Sequence, residues 1–383
     1  MKKPSSTRAD IQQRLAVRRW KRKLAEKAKR RARRRSSTPA SHVRRHRETR
    51  RKIGRPLGPT IDLLVPEVLD LDTAHESTCD FVQEVRTKVR EGQVVCLVFE
   101  KVKTIRLSAL IFLLAQIHKV HLEHGSSCVT GTYPRNPRIE RQLAESGFFE
   151  LLRVRTPDRV VASRVNRYIK FKSDQVINAA RISELRRELL REDLQMPALI
   201  AKAVFRALSE AMTNVNHHAY VTKAFSPQSA AMALRGRWWL FATLNVPNNV
   251  FVLAFYDTGV GIPKTLPRKY SWEHIRQAVH LLPGFLPDDG QMIEAAMMLG
   301  RTRTELDHRG KGLMDLAKLI DILGAGAMRI FSRHGTYTYT SAEQRQTNSA
   351  GYIEGTLIEW RLPIDKVLGA LPEGLYEHDG TQD

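Results

Sequence analysis

From about Met196 the chain carries a helical pattern that ends in Glu210-Ala211-Met212-Thr213-Asn214-Val215-Asn216-His217-His218-Ala219-Tyr220. Along such a helix Glu210, Asn214 and His218 recur every four residues and share one stripe, while Leu208, Ala211, Met212 and Val215 serve packing. A carboxylate one turn from an amide suits phosphoryl chemistry. The carboxylate can take a proton from an attacking oxygen, and an amide oxygen is a hard ligand for Mg2+ that adds no negative charge beside a polyphosphate. On a helix the same pair is more often simply solvated, so by itself it fixes nothing.

Three further stretches keep it company. Asp257-Thr258-Gly259-Val260-Gly261-Ile262-Pro263 follows directly on the apolar run Val250 to Tyr256, which reads as a strand. Arg309-Gly310-Lys311-Gly312-Leu313 opens the helical pattern Leu313 to Leu323, and Gly355-Thr356 stands before Trp360-Arg361-Leu362-Pro363. In this order the four resemble the N box, the two glycine boxes and the closing Gly-Thr strand of the GHKL superfamily of ATP-binding domains. That superfamily includes histidine kinases, anti-sigma-factor kinases, type II topoisomerases, mismatch-repair ATPases and a class of heat-shock chaperones. The resemblance covers about residues 195 to 365.

It implies ATP and Mg2+ as cofactors, with Glu210 polarising the nucleophile and Asn214 holding the metal. The carboxylate of Asp257 would accept the adenine amino proton, a contact that guanine, with a carbonyl there, cannot return. Thr356 would add a hydroxyl near the base. Gly259 and Gly261 leave room and allow backbone angles that a side chain forbids. Gly310 and Gly312 flank Lys311 at a helix N-terminus, where unpaired N–H groups and the helix dipole favour phosphate; Arg309 or Lys311 can add a point charge, and Leu313 follows. A Walker loop is excluded, since no Ser or Thr follows the lysine. His217 and His218 suit packing and hydrogen bonding better than zinc. Lys264 to His308 is the expected lid over the nucleotide, broken by Pro267, Pro283-Gly284 and Pro287, with an inner helix at Met292 to Leu299.

The expected strands of this domain are Trp238 to Leu244, Val250 to Tyr256, Met328 to Arg333, Tyr337 to Thr340 and Thr356 to Leu362. They make a two-layer α/β sandwich of the Bergerat type: a mixed, mostly antiparallel sheet with helices on one face. Ahead of it, Ile61 to Leu71 reads as an edge strand, Asp80 to Arg90 as a helix and Val94 to Phe99 as a buried strand. Leu107 to His121 reads as a strongly apolar helix, Ser127 to Gly131 as a strand and Pro137 to Ser146 as a helix closed by Gly147. This smaller α/β order resembles a STAS domain, the fold of anti-sigma-factor antagonists. Ile105-Arg106-Leu107-Ser108-Ala109-Leu110 would replace the phosphoacceptor stretch of that family. Arg106 and Ala109 depart from its acidic residue and glycine, which leaves Ser108 as either a phosphoacceptor or a helix cap.

The formal charge of +23 belongs almost wholly to one arm. Residues 1 to 55 hold 23 Lys plus Arg against 3 Asp plus Glu, net +20, and the rest hold 40 against 37, net +3. Such an arm is expected to lack a core of its own and to meet DNA or RNA through counterion release, without base specificity. The segments are therefore a basic disordered arm (1–59), a STAS-like domain (60–155), a helical connector (156–194), a GHKL ATPase or kinase domain (195–365) and a tail (366–383).

Histidine autophosphorylation is disfavoured, because Thr156 to Met196 contains no histidine. Cys79, Cys96 and Cys128 show no metal-binding spacing and suit reduced thiols in a cytoplasm. No apolar run is long enough to span a bilayer, so no membrane partner is expected. The leading expectation is a nucleotide-controlled switch, an ATPase or Ser/Thr kinase with a regulatory protein partner, and the connector leaves room for a homodimer. The alternatives are an ATPase held on nucleic acid by the arm, or a catalytically idle ATP sensor.

Overall fold

The computed structural model describes residues 59–160, 166–175, 196–215, 236–302 and 312–368. All of these lie within one compact unit, Pro56–Asp383. The basic arm, most of the expected connector, His217, His218 and Arg309 to Lys311 lie outside the described residues.

The chain begins with β1 (Thr60–Leu64) and β2 (Val68–Leu69), then α1 (His75–Arg90), β3 (Val94–Val98), β4 (Thr104–Ile105) and α2 (Leu107–His124). After β5 (Val129–Gly131) come α3 (Pro137–Ser146) and α4 (Phe148–Leu151). β1, β3 and β5 form a parallel sheet in that order, and β2 pairs with β4. The boundaries follow local chemistry. Asn136 caps α3 by accepting from the Arg138 N–H with Pro137 in the first turn, and Gly147 closes it in the left-handed conformation. Ser108, the second residue of α2, is 2% exposed, and α2 begins without a side-chain cap. The buried hydroxyl gives a kinase no access in this conformation, and it does not cap the helix.

The second half contains β6 (Asn166–Asp174), α5 (Ala198–Asn214), β7 (Trp238–Asn245), β8 (Val250–Asp257), the short α6 (Ile262–Thr265) and α7 (Trp272–Ala278). It continues with α8 (Asp289–Thr302), α9 (Gly312–Leu323), β9 (Ala327–Tyr339), β10 (Gln344–Pro363) and α10 (Ile364–Val367). One sheet holds five of these strands in the order β6-β7-β8-β10-β9. Every pair in it is antiparallel, where a mixed sheet was expected. β6 sits within the expected connector, so that part of the chain is the edge of the sheet.

The helices α5, α8 and α9 lie on one face of this sheet, as expected, but the other face is covered too. Trp238, Leu240, Leu253, Phe255, Ile330 and Trp360 pack with α5, α8 and α9. The alternate residues Trp239, Phe241, Val252, Ala254, Tyr256 and Leu357 pack with α1 and α2. Apolar side chains on both faces of a strand need two covers, and near-continuous runs such as Trp238-Trp239-Leu240-Phe241-Ala242 are their signature. The smaller N-terminal layer supplies the second cover. From Leu107 to Ala115 every side chain of α2 is buried, as expected for a helix that is apolar all round and enclosed on all sides. Gly351 lets α1 close on β10: a Cβ there would stand 2.6 Å from His75 Cδ2.

Cys79, Cys96 and Cys128 are buried and form no disulfide. Among the described residues no helix is long and apolar enough to cross a membrane.

Candidate functional site

The site is built where β8 leaves the sheet. Alternation along the strand sends Leu253 and Phe255 toward the α5 face, and Asp257 falls on the same side two residues later. In register, Asp257 lies between Trp238 of β7 and Thr356 of β10. Asp257 is 7% and Thr356 9% exposed, so a buried carboxyl and a buried hydroxyl residue stand side by side at the sheet's end. The Gly259 N–H donates to Asp257 Oδ1 at 2.7 Å. Burial pushes this carboxyl up to about 7, with the Gly259 N–H pulling the other way.

Around this pair the backbone is tightly closed. Gly355 has φ +84°, and a Cβ there would come within 2.0 Å of the Asp257 carbonyl oxygen. Gly261 also has φ +84°, and its Cβ would stand 2.7 Å from Ser332 Oγ. Ser332 Oγ donates to the Gly355 carbonyl at 2.6 Å and accepts from the Ile262 N–H at 3.1 Å, which ties β9, β10 and the start of α6 together. The register of β10 against β9 shifts between Ile353 and Leu357, a bulge that frees the backbone to turn around Gly355. Gly259 does not share the positive φ expected of it; its contribution is the N–H to Asp257.

Glu210 and Asn214 lie half-buried near the end of α5, which packs on the same sheet face through Ala207, Leu208, Ala211 and Met212. Asp315, in the first turn of α9, accepts from Arg206 of α5 at 2.9 Å and pairs with Lys318 at 2.5 Å. This largely buried carboxylate locks the helix bearing Glu210 to the helix that Gly312 opens. Leu313, at the start of α9, and Ile262, at the start of α6, pack against the same two apolar clusters. Asp257 and Thr356 are thus adjacent, and Gly261 and Gly355 meet around Ser332. Glu210, Asn214, Gly312 and Leu313 belong to the two helices over that face. Arg309, Gly310 and Lys311 lie outside the described residues.

No family model, curated protein or solved structure matches this chain. The chemistry of the site therefore carries the functional argument.

Over its described residues, 264–302, the expected lid is more firmly folded than its prolines suggest. α8 docks on β9 through Asp289, which accepts from the His334 N–H at 3.1 Å and pairs with Arg333 at 3.4 Å. Leu266, Ile275, Met292, Ala295 and Ala296 form a small core of their own. Beyond it, Leu282, Phe285 and Leu286 stay exposed.

Arg206, Asp315 and Ser332 escaped the sequence reading. Arg206 does lie on the Glu210–Asn214 stripe, one turn earlier, and Asp315 follows the second glycine box; those spacings were the available signal. Ser332 had none, because its partners come from β10 and the start of α6.

A pH dependence follows from Asp257. Ionised, it accepts an amino proton well; protonated, it loses much of that capacity. Where Asp257 meets an adenine amino group, as the resemblance implies, affinity for the nucleotide is expected to rise with pH through about 7 and to level off above it. Titration of the chain with ATP between pH 6 and pH 8.5 checks this, and a flat profile contradicts it.

Proposed function

We propose that the protein binds ATP with Mg2+ and works as a nucleotide-controlled switch, an ATPase or Ser/Thr kinase of the GHKL type, with a regulatory protein partner. The finer fold assignments belong to the same proposal: a Bergerat-type layer for the antiparallel sheet with α5, α8 and α9, and a STAS-like layer for the rest. The observation that carries it is Asp257, a buried carboxyl held by the Gly259 N–H beside Thr356, at the end of the sheet face that α5 covers.

The donor set fits the nucleotide. Asp257 and Thr356 would bind the adenine edge, and the missing side chains at Gly261 and Gly355 let backbone approach closely. Gly312 and Leu313 begin a helix of 12 residues whose N-terminal N–H groups suit phosphate, with Arg309, Gly310 and Lys311 before it. Asn214 would hold Mg2+, most of whose remaining ligands would be phosphate oxygens and water. Bound ATP supplies a transferable phosphoryl group. Glu210 orients and deprotonates the hydroxyl or water that receives it.

Glu210→Ala is expected to keep ATP affinity within about threefold and to lower turnover by about a hundredfold. A phosphate-release and phosphotransfer assay of the full chain, with and without nucleic acid, reads both. Turnover equal to wild type removes Glu210 from the mechanism. Stimulation by DNA or RNA would favour the nucleic-acid-held ATPase, to which the net charge of +20 on residues 1 to 55 points. Binding without turnover in either protein leaves the sensor.

A further inference from the structure

Behind the site, on the other face of the sheet, the N-terminal layer grips Tyr256, next to Asp257, and Glu354, two residues before Thr356. Glu354 immediately precedes Gly355, and the bulge turns its side chain toward α1 and α2. There its carboxylate receives Arg86 of α1 at 2.8 Å and Lys119 of α2 at 2.7 and 2.8 Å. The Lys119 side chain is 8% exposed and that of Glu354 27%. The backbone carbonyl of Glu354 accepts from the Tyr256 hydroxyl at 2.7 Å, and the Gln116 amide of α2 donates to the same hydroxyl at 2.6 Å. Tyr256, fully buried, is the residue before Asp257. A cleft of about 450 Å³ between α1 and β10 reaches this cluster, with Arg86, Glu354, Asp80 and Tyr352 in its walls.

For stability alone this is a costly way to join two layers. Removing charges from water sets a desolvation penalty against their attraction, and apolar side chains of similar volume commonly hold a buried interface as well or better. Apolar packing already joins the layers beside the clamp, with Phe112 of α2 meeting Tyr256 edge to face. The charges stand where Tyr256 and Glu354 join Asp257, Gly355 and Thr356.

We propose that this clamp sets the affinity and base selectivity of the nucleotide site, with Lys119, Arg86 and Gln116 as positioning residues acting through Glu354 and Tyr256. The inference rests on the ATP reading of that site. It makes the N-terminal layer the regulatory input. A partner that moves α1 or α2 shifts the Gly355 turn, and with it the spacing of Asp257 and Thr356.

The test compares wild type, Lys119→Met, Lys119→Arg and Glu354→Gln as full chains, titrated with ATP and with GTP in Mg2+, beside urea denaturation. Lys119→Met keeps the length of the stem and loses the charge. It is expected to weaken ATP binding about tenfold and to narrow the preference for ATP over GTP, while Lys119→Arg recovers both to within about threefold. Lys103→Met, which breaks an exposed pair with Glu67, should leave both values unchanged. Glu354→Gln, which retains a hydrogen-bonding head, gives the same readout where Lys119→Met does not fold. A folded Lys119→Met or Glu354→Gln chain with wild-type affinity and wild-type base preference overturns the clamp. ATP uptake by wild type in that case leaves the nucleotide site standing, whereas no uptake by wild type overturns both.

Discussion

Alanine at Gly355 is expected to destabilise the fold by about 3 kcal/mol or more, the largest effect of any single methyl group around the site. Two causes add. The residue has φ +84°, where an L side chain is strained, and its Cβ would lie 2.0 Å from the Asp257 carbonyl oxygen and 2.8 Å from Thr258 Cα. Both are backbone atoms, the first in β8 and the second directly after it, so neither can swing aside as a side chain would. Gly92 separates the two causes, because it has φ +80° with nothing within 4 Å of its Cβ position. Gly92→Ala therefore pays only the conformational cost, about 1 kcal/mol. Urea denaturation of the two variants reads the difference. Equal losses would mean that the approach of β10 to Asp257 carries no weight.

The second large effect separates binding from stability. Asp257→Asn is expected to weaken ATP binding by about a hundredfold, since the amide can turn a donor toward the adenine amino group. The fold should not suffer in parallel. The folded carboxyl sits at about 7, above its ordinary value of 3.8, so it binds its proton more tightly in the folded chain than in the unfolded one. The stability it adds is fully present below 3.8 and is lost as pH rises through about 7. At pH 8 the wild-type chain carries that loss and the non-titrating asparagine does not. Asp257→Asn is thus expected to be as stable as wild type or more stable at pH 8, while binding ATP poorly. Calorimetry and a melt at pH 8 check the two halves. A variant that binds like wild type removes Asp257 from base recognition.

Much of the fold could be read from residue patterns. Val94 to Phe99 and Val250 to Tyr256 are apolar runs of strand length, and Asn136-Pro137 with Gly147 marks a helix at both ends. The failures have physical causes. Met328 to Arg333 and Tyr337 to Thr340 read as two strands, yet β9 runs unbroken between them through Gly335. The glycine is there because a Cβ would stand 2.4 Å from the Asp289 backbone, where α8 docks. β10 likewise runs back to Gln344, through Gly351, where a Cβ would meet His75 and Cys79. Two layers on one sheet could also have been inferred, since Trp238 and Trp239 cannot both face the same cover.

At the site, Asp257 and Gly261 were legible as an acid and a glycine directly after an apolar strand. Thr356 gained its meaning from the antiparallel register of β10 on β8, which sets it opposite Asp257. Glu354 could not be recognised from the sequence, because Arg86 and Lys119 come from helices more than 200 positions away along the chain. Tertiary contacts of that range leave no local pattern.

The most direct test of the central claim is calorimetric titration of the full chain with ATP in Mg2+ at pH 8, with GTP as comparison. One saturable site per chain for ATP, with GTP bound at least tenfold more weakly, is the expected result. Absence of saturable heat with ATP, or equal binding of the two nucleotides, would contradict it.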